Sequence, residues 1–157
     1  CEAGDGILSV CMRSDGTMAD IIKVPAGGSR QPITKELIDE RANKIRMRGN
    51  ETFKLAVKAM EHALVEALRE AGVRQQDLDL LIPHQANIRI IQALGKRLDV
   101  PEDRVFINLD RYGNTSAATI PIAIDEARRS GRIGRGSLVA VAAFGSGATW
   151  GAAILRL

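Results

Sequence analysis

Residues 80–87 read Leu-Leu-Ile-Pro-His-Gln-Ala-Asn. The leading apolar residues of this stretch predict a buried strand that the proline ends. The strand delivers His84 at its C-terminal end, and Asn87 is a good N-cap for the helix that the following residues predict. The stretch is therefore a strand-to-helix corner of an α/β unit.

A second corner of the same kind lies further along the chain, where residues 111–118 read Arg-Tyr-Gly-Asn-Thr-Ser-Ala-Ala. A short strand is predicted over 104–109, and Asn114 stands where the next helix begins. In open α/β sheets, ligands bind at the edge where strands end and helices start. We therefore expect His84 and Asn114 to face one pocket.

The surrounding pattern predicts a mixed β-sheet with helices packed on its faces. Residues 53–71 repeat apolar side chains at three- and four-residue steps, which predicts an amphipathic helix that Asn50 caps and Gly72 ends. The other predicted elements are a β-hairpin over 6–12 and 18–24, strands over 77–82, 137–144 and 150–157, and helices over 90–98 and 115–129, the last with Pro121 near its start.

The two corners together resemble the β-ketoacyl-acyl-carrier-protein synthase III family. His84 precedes Asn114 by thirty positions (114 − 84), and the residues around each match the motifs of that family. Two further segments resemble the family in the same order: Met-Arg-Gly-Asn-Glu-Thr-Phe-Lys at 47–54 and Ala-Phe-Gly-Ser-Gly-Ala-Thr-Trp-Gly at 143–151. The resemblance extends from residue 47 to the last residue.

The resemblance implies an α/β chain that is the C-terminal half of a thiolase-like fold. Residues 1–157 would then form the C-terminal domain of a synthase III. The missing N-terminal half of the same enzyme carries the nucleophilic cysteine of the family. We therefore expect an acyltransferase that works as a homodimer, and we expect this chain by itself to be inactive.

The activity that the resemblance implies is a decarboxylative condensation of an acyl-CoA primer with malonyl-acyl-carrier protein, which initiates fatty acid synthesis. Loss of carbon dioxide leaves electrons on an enolate oxygen, and two neutral N–H donors aimed at that oxygen stabilise it. His84 and Asn114 are the predicted catalytic donors. From the residues alone, a hydrogen-bonded structural histidine and a helix cap remain the alternatives.

The remaining site residues also follow from the resemblance. The backbone N–H of Ser146 would form an oxyanion hole for the acyl-cysteine carbonyl. The acyl carrier protein would dock on Lys54 and on the segment Gln85, Ala86, Asn87, Ile88 and Arg89. The pantetheine arm of the carrier or of CoA would pass Gly49, Phe53 and Asn87. No metal and no bound cofactor are expected, because acyl-CoA and malonyl-acyl-carrier protein are substrates.

Composition narrows the partners and the compartment. A net charge of +3 allows an acidic partner, and one Trp and one Tyr are too few for a base-stacking surface, so nucleic acid is not expected. No apolar run approaches the roughly 20 residues that span a bilayer, and the first residues do not resemble a signal peptide. Cys1 and Cys11 predict neither a disulfide nor a catalytic thiol. We expect a cytoplasmic protein that does not bind a membrane.

Three other functions fit parts of the sequence. The first is the same condensation in specialised metabolism, because the residues that select the acyl chain lie mostly outside this chain. The second is a non-catalytic module that binds an acyl carrier protein. The third is a nucleotide-binding α/β domain, which the lack of a glycine fingerprint after a first strand disfavours.

Overall fold

One mixed four-stranded β-sheet forms the centre of the molecule. The computed structural model describes residues 4–157. The sheet has the order β1 (Gly6–Ser14), β6 (Thr149–Arg156), β5 (Leu138–Gly145) and β4 (Leu80–Pro83). Strand β4 runs parallel to β5, and the other two neighbouring pairs are antiparallel. All four residues of β4 are buried, as the apolar run in the sequence predicts.

Two helices, α2 (Gly49–Ala71) and α3 (Ile88–Arg97), cover the first face of this sheet. Helix α2 turns small side chains such as Ala63 and Ala67 toward the strands, which lets its backbone approach the sheet closely. The helix ends at Gly72, whose φ of 64° is the left-handed conformation that glycine adopts without strain. The predicted amphipathic helix and its C-terminal end are therefore confirmed.

The second face of the sheet is only partly covered. Helix α5 (Thr119–Arg129) packs on it with a small cluster centred on Leu80, Ile82 and Val139. Pro121 lies in the first turn of α5, where a missing N–H breaks no helical hydrogen bond. At the opposite end of this face, Val10 is 49% exposed and Met12 is 74% exposed. An apolar part of the sheet thus lies open to solvent.

Short elements surround this core. Strands β2 (Ile22–Lys23) and β3 (Arg46–Met47) form a small antiparallel sheet of their own. Helix α1 (Lys35–Asp39) lies between them in the sequence, and α4 (Leu109–Tyr112) precedes the turn that carries Asn114. Among residues 4–157, no helix combines the length and the apolar composition needed to cross a bilayer.

The predicted N-terminal hairpin is wrong. Strand β1 pairs along its whole length with β6 from the other end of the chain, and Cys11 on β1 is buried in the core that this part of the sheet forms with α2. The Asp-Gly signal between the two expected strands makes a 3-10 turn, Gly16–Met18, in which the carboxylate of Asp15 accepts the N–H of Thr17. The turn itself was predicted correctly. Strand β1 nevertheless pairs with the long core strand β6 and not with the short segment that follows the turn.

The strand predicted over 104–109 and the cap predicted for α2 also need correction. Val105 makes a single parallel bridge to Leu81, because a 3-10 turn (Glu102–Arg104) precedes it and α4 follows soon after. Helix α2 begins at Gly49, so Asn50 lies inside its first turn, and no side chain caps this end.

Cys11 is a free, buried thiol whose Sγ donates to Oε2 of Glu66 at 3.1 Å. Burial, together with this hydrogen bond, raises the pKa of the Cys11 thiol, which disfavours the reactive thiolate. The prediction about Cys1 lies outside the described residues.

Candidate active site

His84 lies directly beyond the end of β4, as the strand-to-helix corner predicts. Its backbone N–H donates to the carbonyl of Ala142 on β5 at 2.7 Å, which continues the parallel ladder by one residue. The ring is half-buried, and its Nδ1 lies 2.6 Å from Oγ1 of Thr119 at the start of α5. Nε2 is therefore the ring nitrogen left for a ligand. Burial lowers the pKa of His84 below its ordinary value of 6.5, which favours a neutral ring at pH 7.

Asn114 follows α4 and Gly113, and its side chain has a defined orientation. The carboxamide oxygen Oδ1 accepts the backbone N–H of Ser116 at 2.9 Å. Because an N–H donor requires an oxygen acceptor, the other end of the carboxamide is the NH2 group. The side chain of Asn114 is exposed, so this NH2 group is available to donate to a ligand.

Both residues line one cleft of about 990 Å³ between the small sheet, α2 and the open end of the main sheet. The predicted pocket at the edge of the sheet is thus present. All of the sequence-predicted site residues except Gln85, Ile88 and Lys54 line it. These eight residues are Gly49, Phe53, His84, Ala86, Asn87, Arg89, Asn114 and Ser146. Cleft volumes of this size accommodate an extended organic ligand.

Ser146 occupies the turn between β5 and β6. Its hydroxyl donates to the carbonyl of Ile22 at 2.6 Å, which ties the turn to the small sheet. Within residues 4–157, the backbone N–H of Ser146 has no hydrogen-bond acceptor. A ligand oxygen in the cleft can therefore take this donor, as an oxyanion hole requires.

The predicted docking segment divides into three environments. Asn87 caps α3, because its side chain accepts the N–H of Arg89 at 2.9 Å. The guanidinium of Arg89 lies 5.4 Å from the centre of the Phe53 ring, at cation–π distance. Lys54 and Ile88 are exposed outside the lining of the cleft. These residues are accessible to a partner.

Gln85 is the exception, and its predicted docking role needs correction. Its side chain is only 1% exposed, so it cannot contact a carrier protein. Nε2 donates to the carbonyls of Pro83 at 2.8 Å and Phe106 at 3.2 Å, while Oε1 accepts the N–H of Asn108 at 3.0 Å. The amide therefore joins the end of β4 to the segment that leads to Asn114.

Two polar contacts beside the site were not predicted from the sequence. Thr119 is buried against His84, and Nδ2 of Asn108 donates to Oε2 of Glu126 on α5 at 2.8 Å. The sequence signal for the first contact was Thr119 itself, a polar residue in a mostly apolar helix start. Nothing in the sequence pairs Asn108 with Glu126. His62 is exposed on α2, as expected of a surface residue.

The cleft brings together several groups that can donate a hydrogen bond. His84, Asn114 and Ser146 all line it. Among residues 4–157, no three His, Cys, Asp or Glu side chains are placed to hold a metal ion. Such an arrangement stabilises a developing oxyanion by hydrogen bonds.

Comparison with known proteins identifies the family. Residues 68–157 match the family model described as 3-oxoacyl-acyl-carrier-protein (ACP) synthase III, C terminal. This match covers more than half of the chain. The chain belongs to the synthase III C-terminal family.

A β-ketoacyl-acyl-carrier-protein synthase III from Caldanaerobacter subterraneus subsp. tengcongensis is 48% identical over 155 residues, which is 99% of this chain and 47% of that protein. The crystal structure of 3-oxoacyl-acyl-carrier-protein synthase III from Aquifex aeolicus VF5 superposes with a TM-score of 0.87 at 41% identity, covering 100% of this chain and 46% of that one. The priming β-ketosynthase of the R1128 polyketide pathway superposes with a TM-score of 0.83 at 33% identity, over 97% of this chain and 45% of that one.

The synthase III chain thus spans about half the length of the curated relatives it matches. Its likeness to the solved synthase III structures confirms the predicted fold, an α/β C-terminal half of a thiolase-like architecture.

The buried amide of Gln85 predicts a stability effect in this synthase III chain. We expect Gln85→Leu to lower the free energy of unfolding by about 3 kcal/mol, because it leaves buried backbone groups of the Phe106 and Asn108 segment without partners. The matched control is Gln92→Leu, since Gln92 is exposed on α3 and should change stability by about 0.5 kcal/mol or less. Urea unfolding measures both variants, and equal small losses would contradict the role given to Gln85.

The lowered pKa of His84 predicts a pH dependence of stability. As the pH falls below 6.5, the unfolded state protonates this histidine before the folded state does. The free energy of unfolding should therefore fall with pH from that point, and His84→Gln should remove this part of the fall. Unfolding free energies of both proteins from pH 7.5 down to about pH 5 provide the measurement. A constant difference between them would contradict the lowered pKa.

Proposed function

We propose that residues 1–157 are the C-terminal domain of a β-ketoacyl-acyl-carrier-protein synthase III and supply its decarboxylation site. The observation that carries the proposal is that His84 and Asn114 line one cleft with a ring nitrogen and a carboxamide NH2 group left over from their own hydrogen bonds. The family match and the identity to curated synthases support the same proposal.

The proposed chemistry uses the two donors at the thioester carbonyl of a malonyl group. The bond between the carboxylate and the adjacent carbon breaks, carbon dioxide leaves, and the electron pair passes to the enolate oxygen. Hydrogen bonds from His84 and Asn114 stabilise this oxyanion, and a neutral His84 donates without holding the enolate as an ion pair. The low pKa of His84 favours that neutral form.

The enolate carbon then attacks an acyl group held as a thioester on the cysteine of the first half. A carbon–carbon bond forms, the carbonyl oxygen becomes negative for a moment, and the thiolate leaves as the carbonyl re-forms. We assign the backbone N–H of Ser146 to that oxygen, because it has no acceptor within residues 4–157. The products are a β-ketoacyl carrier protein and the free thiolate.

The proposed partners follow from the surface of the cleft. The pantetheine arm of acyl-CoA or of malonyl-acyl-carrier protein would run along Gly49, Phe53 and Asn87, which line the cleft. The acidic carrier protein would dock on Arg89 and Lys54, which are both exposed near the mouth of the cleft, with Ile88 beside them. Gln85 has no part in docking because it is buried.

We also place the N-terminal half of the same enzyme on the open part of the main sheet. Val10 and Met12 expose apolar surface there, beside the cleft that they help to line. Covering this surface would exclude water from the donors and strengthen their hydrogen bonds to the substrate. We also propose that the complete enzyme is a homodimer in the cytoplasm. The free thiol of Cys11 fits the reducing conditions of the cytoplasm.

A second candidate is the same condensation in specialised metabolism. The likeness to the priming β-ketosynthase of the R1128 polyketide pathway favours it. The higher identity to curated β-ketoacyl-acyl-carrier-protein synthases III favours fatty acid synthesis as the first choice. Turnover with a panel of acyl-CoA primers and carrier proteins distinguishes the two.

In the complete synthase, His84→Ala and Asn114→Ala should each slow decarboxylation of the malonyl thioester by about 10²–10³-fold, because each removes one oxyanion donor. Transfer of the acyl group to the cysteine should change little. Release of labelled carbon dioxide and trapping of labelled acyl-enzyme measure the two steps separately.

The control for this test is His62→Ala, which alters the other histidine of the chain at an exposed position on α2. It should leave both steps unchanged. Equal losses of decarboxylation and acylation in the His84 and Asn114 variants would contradict the assigned roles.

Charge reversal tests the docking surface. In the complete synthase, Arg89→Glu and Lys54→Glu should slow association with the acyl carrier protein by roughly tenfold at low salt, while reaction with acyl-CoA is nearly unchanged. Arg69→Glu is the matched control, because Arg69 is exposed at the C-terminal end of α2, outside the lining of the cleft. Surface plasmon resonance at several salt concentrations measures the rates. Wild-type association by both variants would remove the docking assignment.

A further inference from the structure

Thr119 lies between the two segments that carry the proposed donors. It is 3% exposed and occupies the first position of α5. Its Oγ1 is 2.6 Å from Nδ1 of His84 and 3.1 Å from the carbonyl oxygen of Ser116. The hydroxyl has one proton and therefore donates to only one of these two neighbours at a time.

The carbonyl of Ser116 does not depend on that hydroxyl. It already accepts the backbone N–H of Thr119 at the end of the 3-10 turn Ser116–Ala118. Nδ1 of His84, by contrast, is half-buried and has Oγ1 of Thr119 as its hydrogen-bond partner. The shorter of the two distances also belongs to the imidazole contact.

A neutral imidazole carries its proton on one ring nitrogen only, so the partner of Nδ1 decides which nitrogen is the donor. If the hydroxyl of Thr119 donates to Nδ1, then Nε2 bears the hydrogen. If Nδ1 donated to the hydroxyl instead, a neutral ring would present a bare Nε2 to the cleft. Only the first arrangement gives an N–H donor to a ligand.

We propose that Thr119 is a positioning residue whose hydroxyl donates to Nδ1 of His84 and thereby fixes the tautomer with its hydrogen on Nε2. The use of that hydrogen at the malonyl carbonyl rests on the proposed function. The tautomer itself is tested apart from that use, because the signals of the two ring nitrogens report it directly.

The same turn orients the second donor. The N–H of Ser116 holds Oδ1 of Asn114, and the carbonyl of Ser116 accepts from Thr119. Ser116 has a φ of 55°, a left-handed conformation that is uncommon for a residue with a side chain. The segment 114–119 is thus held in one unusual backbone shape that sets both the carboxamide of Asn114 and the hydroxyl that meets His84.

The test compares Thr119→Val, which removes the hydroxyl but keeps a β-branched side chain, with Thr119→Ser, which keeps the hydroxyl. Both are made in the complete synthase with ¹⁵N-labelled histidine, and the ring signals of His84 are assigned by their loss in His84→Gln. At neutral pH, wild type and Thr119→Ser should show Nε2 protonated and Nδ1 unprotonated. Thr119→Val should show a mixture of tautomers or the opposite one.

Kinetics provide the second readout. We expect carbon dioxide release from the malonyl thioester to fall about tenfold in Thr119→Val, the size of one hydrogen-bond contribution. It should stay within about twofold of wild type in Thr119→Ser, where the hydroxyl remains. Acylation of the cysteine should stay the same in both. Thermal unfolding midpoints establish that both variants are folded.

Two outcomes would overturn this inference, and a third distinguishes it from the proposed function. Wild-type ring signals and wild-type carbon dioxide release in Thr119→Val would overturn the role of the hydroxyl. A loss in Thr119→Ser as large as in Thr119→Val would overturn it too, because packing of the methyl group would then be responsible. If His84→Gln decarboxylated like wild type, the proposed function would fail, while the tautomer shift in Thr119→Val would still support the inference.

Discussion

The three hydrogen bonds of the buried Gln85 amide hold the site together. They join the carbonyl that ends β4 to the Phe106 and Asn108 segment, which makes only one bridge to the sheet. Without this amide, buried backbone groups on both segments would lose their partners. Since His84 immediately precedes Gln85, and the second segment leads through α4 to Asn114, one side chain couples the positions of both proposed donors.

Each donor also receives its orientation from the start of α5. The turn before this helix holds the oxygen of the Asn114 carboxamide, and its first residue, Thr119, meets the imidazole of His84. Helix α5 is itself held by the small apolar cluster centred on Leu80, Ile82 and Val139. Packing of α5 against the apolar core therefore fixes the orientations of the His84 and Asn114 side chains. Stabilisation of an oxyanion requires donors that are oriented in this way before the reaction.

Local signals predicted the site better than they predicted the strand pairing. The apolar run before His84 and the cap at Asn87 depend on neighbouring residues, and both were confirmed. The hairpin at the N-terminus was wrong because β1 pairs with β6, about 140 residues away, and sequence patterns do not encode such a distant partner. The burial of Gln85 was missed for the same reason: its three partners include Phe106 and Asn108, and nothing near Gln85 in the sequence marks them.

We propose that this cleft supplies two oxyanion donors and that the N-terminal half of the enzyme covers them. The most direct measurement is carbon dioxide release from a malonyl thioester by the 157-residue chain alone, by a separately produced N-terminal half, and by the two together. The expected result is release and condensation only when both are present, with loss of both after Asn114→Ala. Carbon dioxide release by this chain alone at the rate of the mixture would contradict the proposal. So would the absence of carbon dioxide release from two halves that demonstrably bind each other.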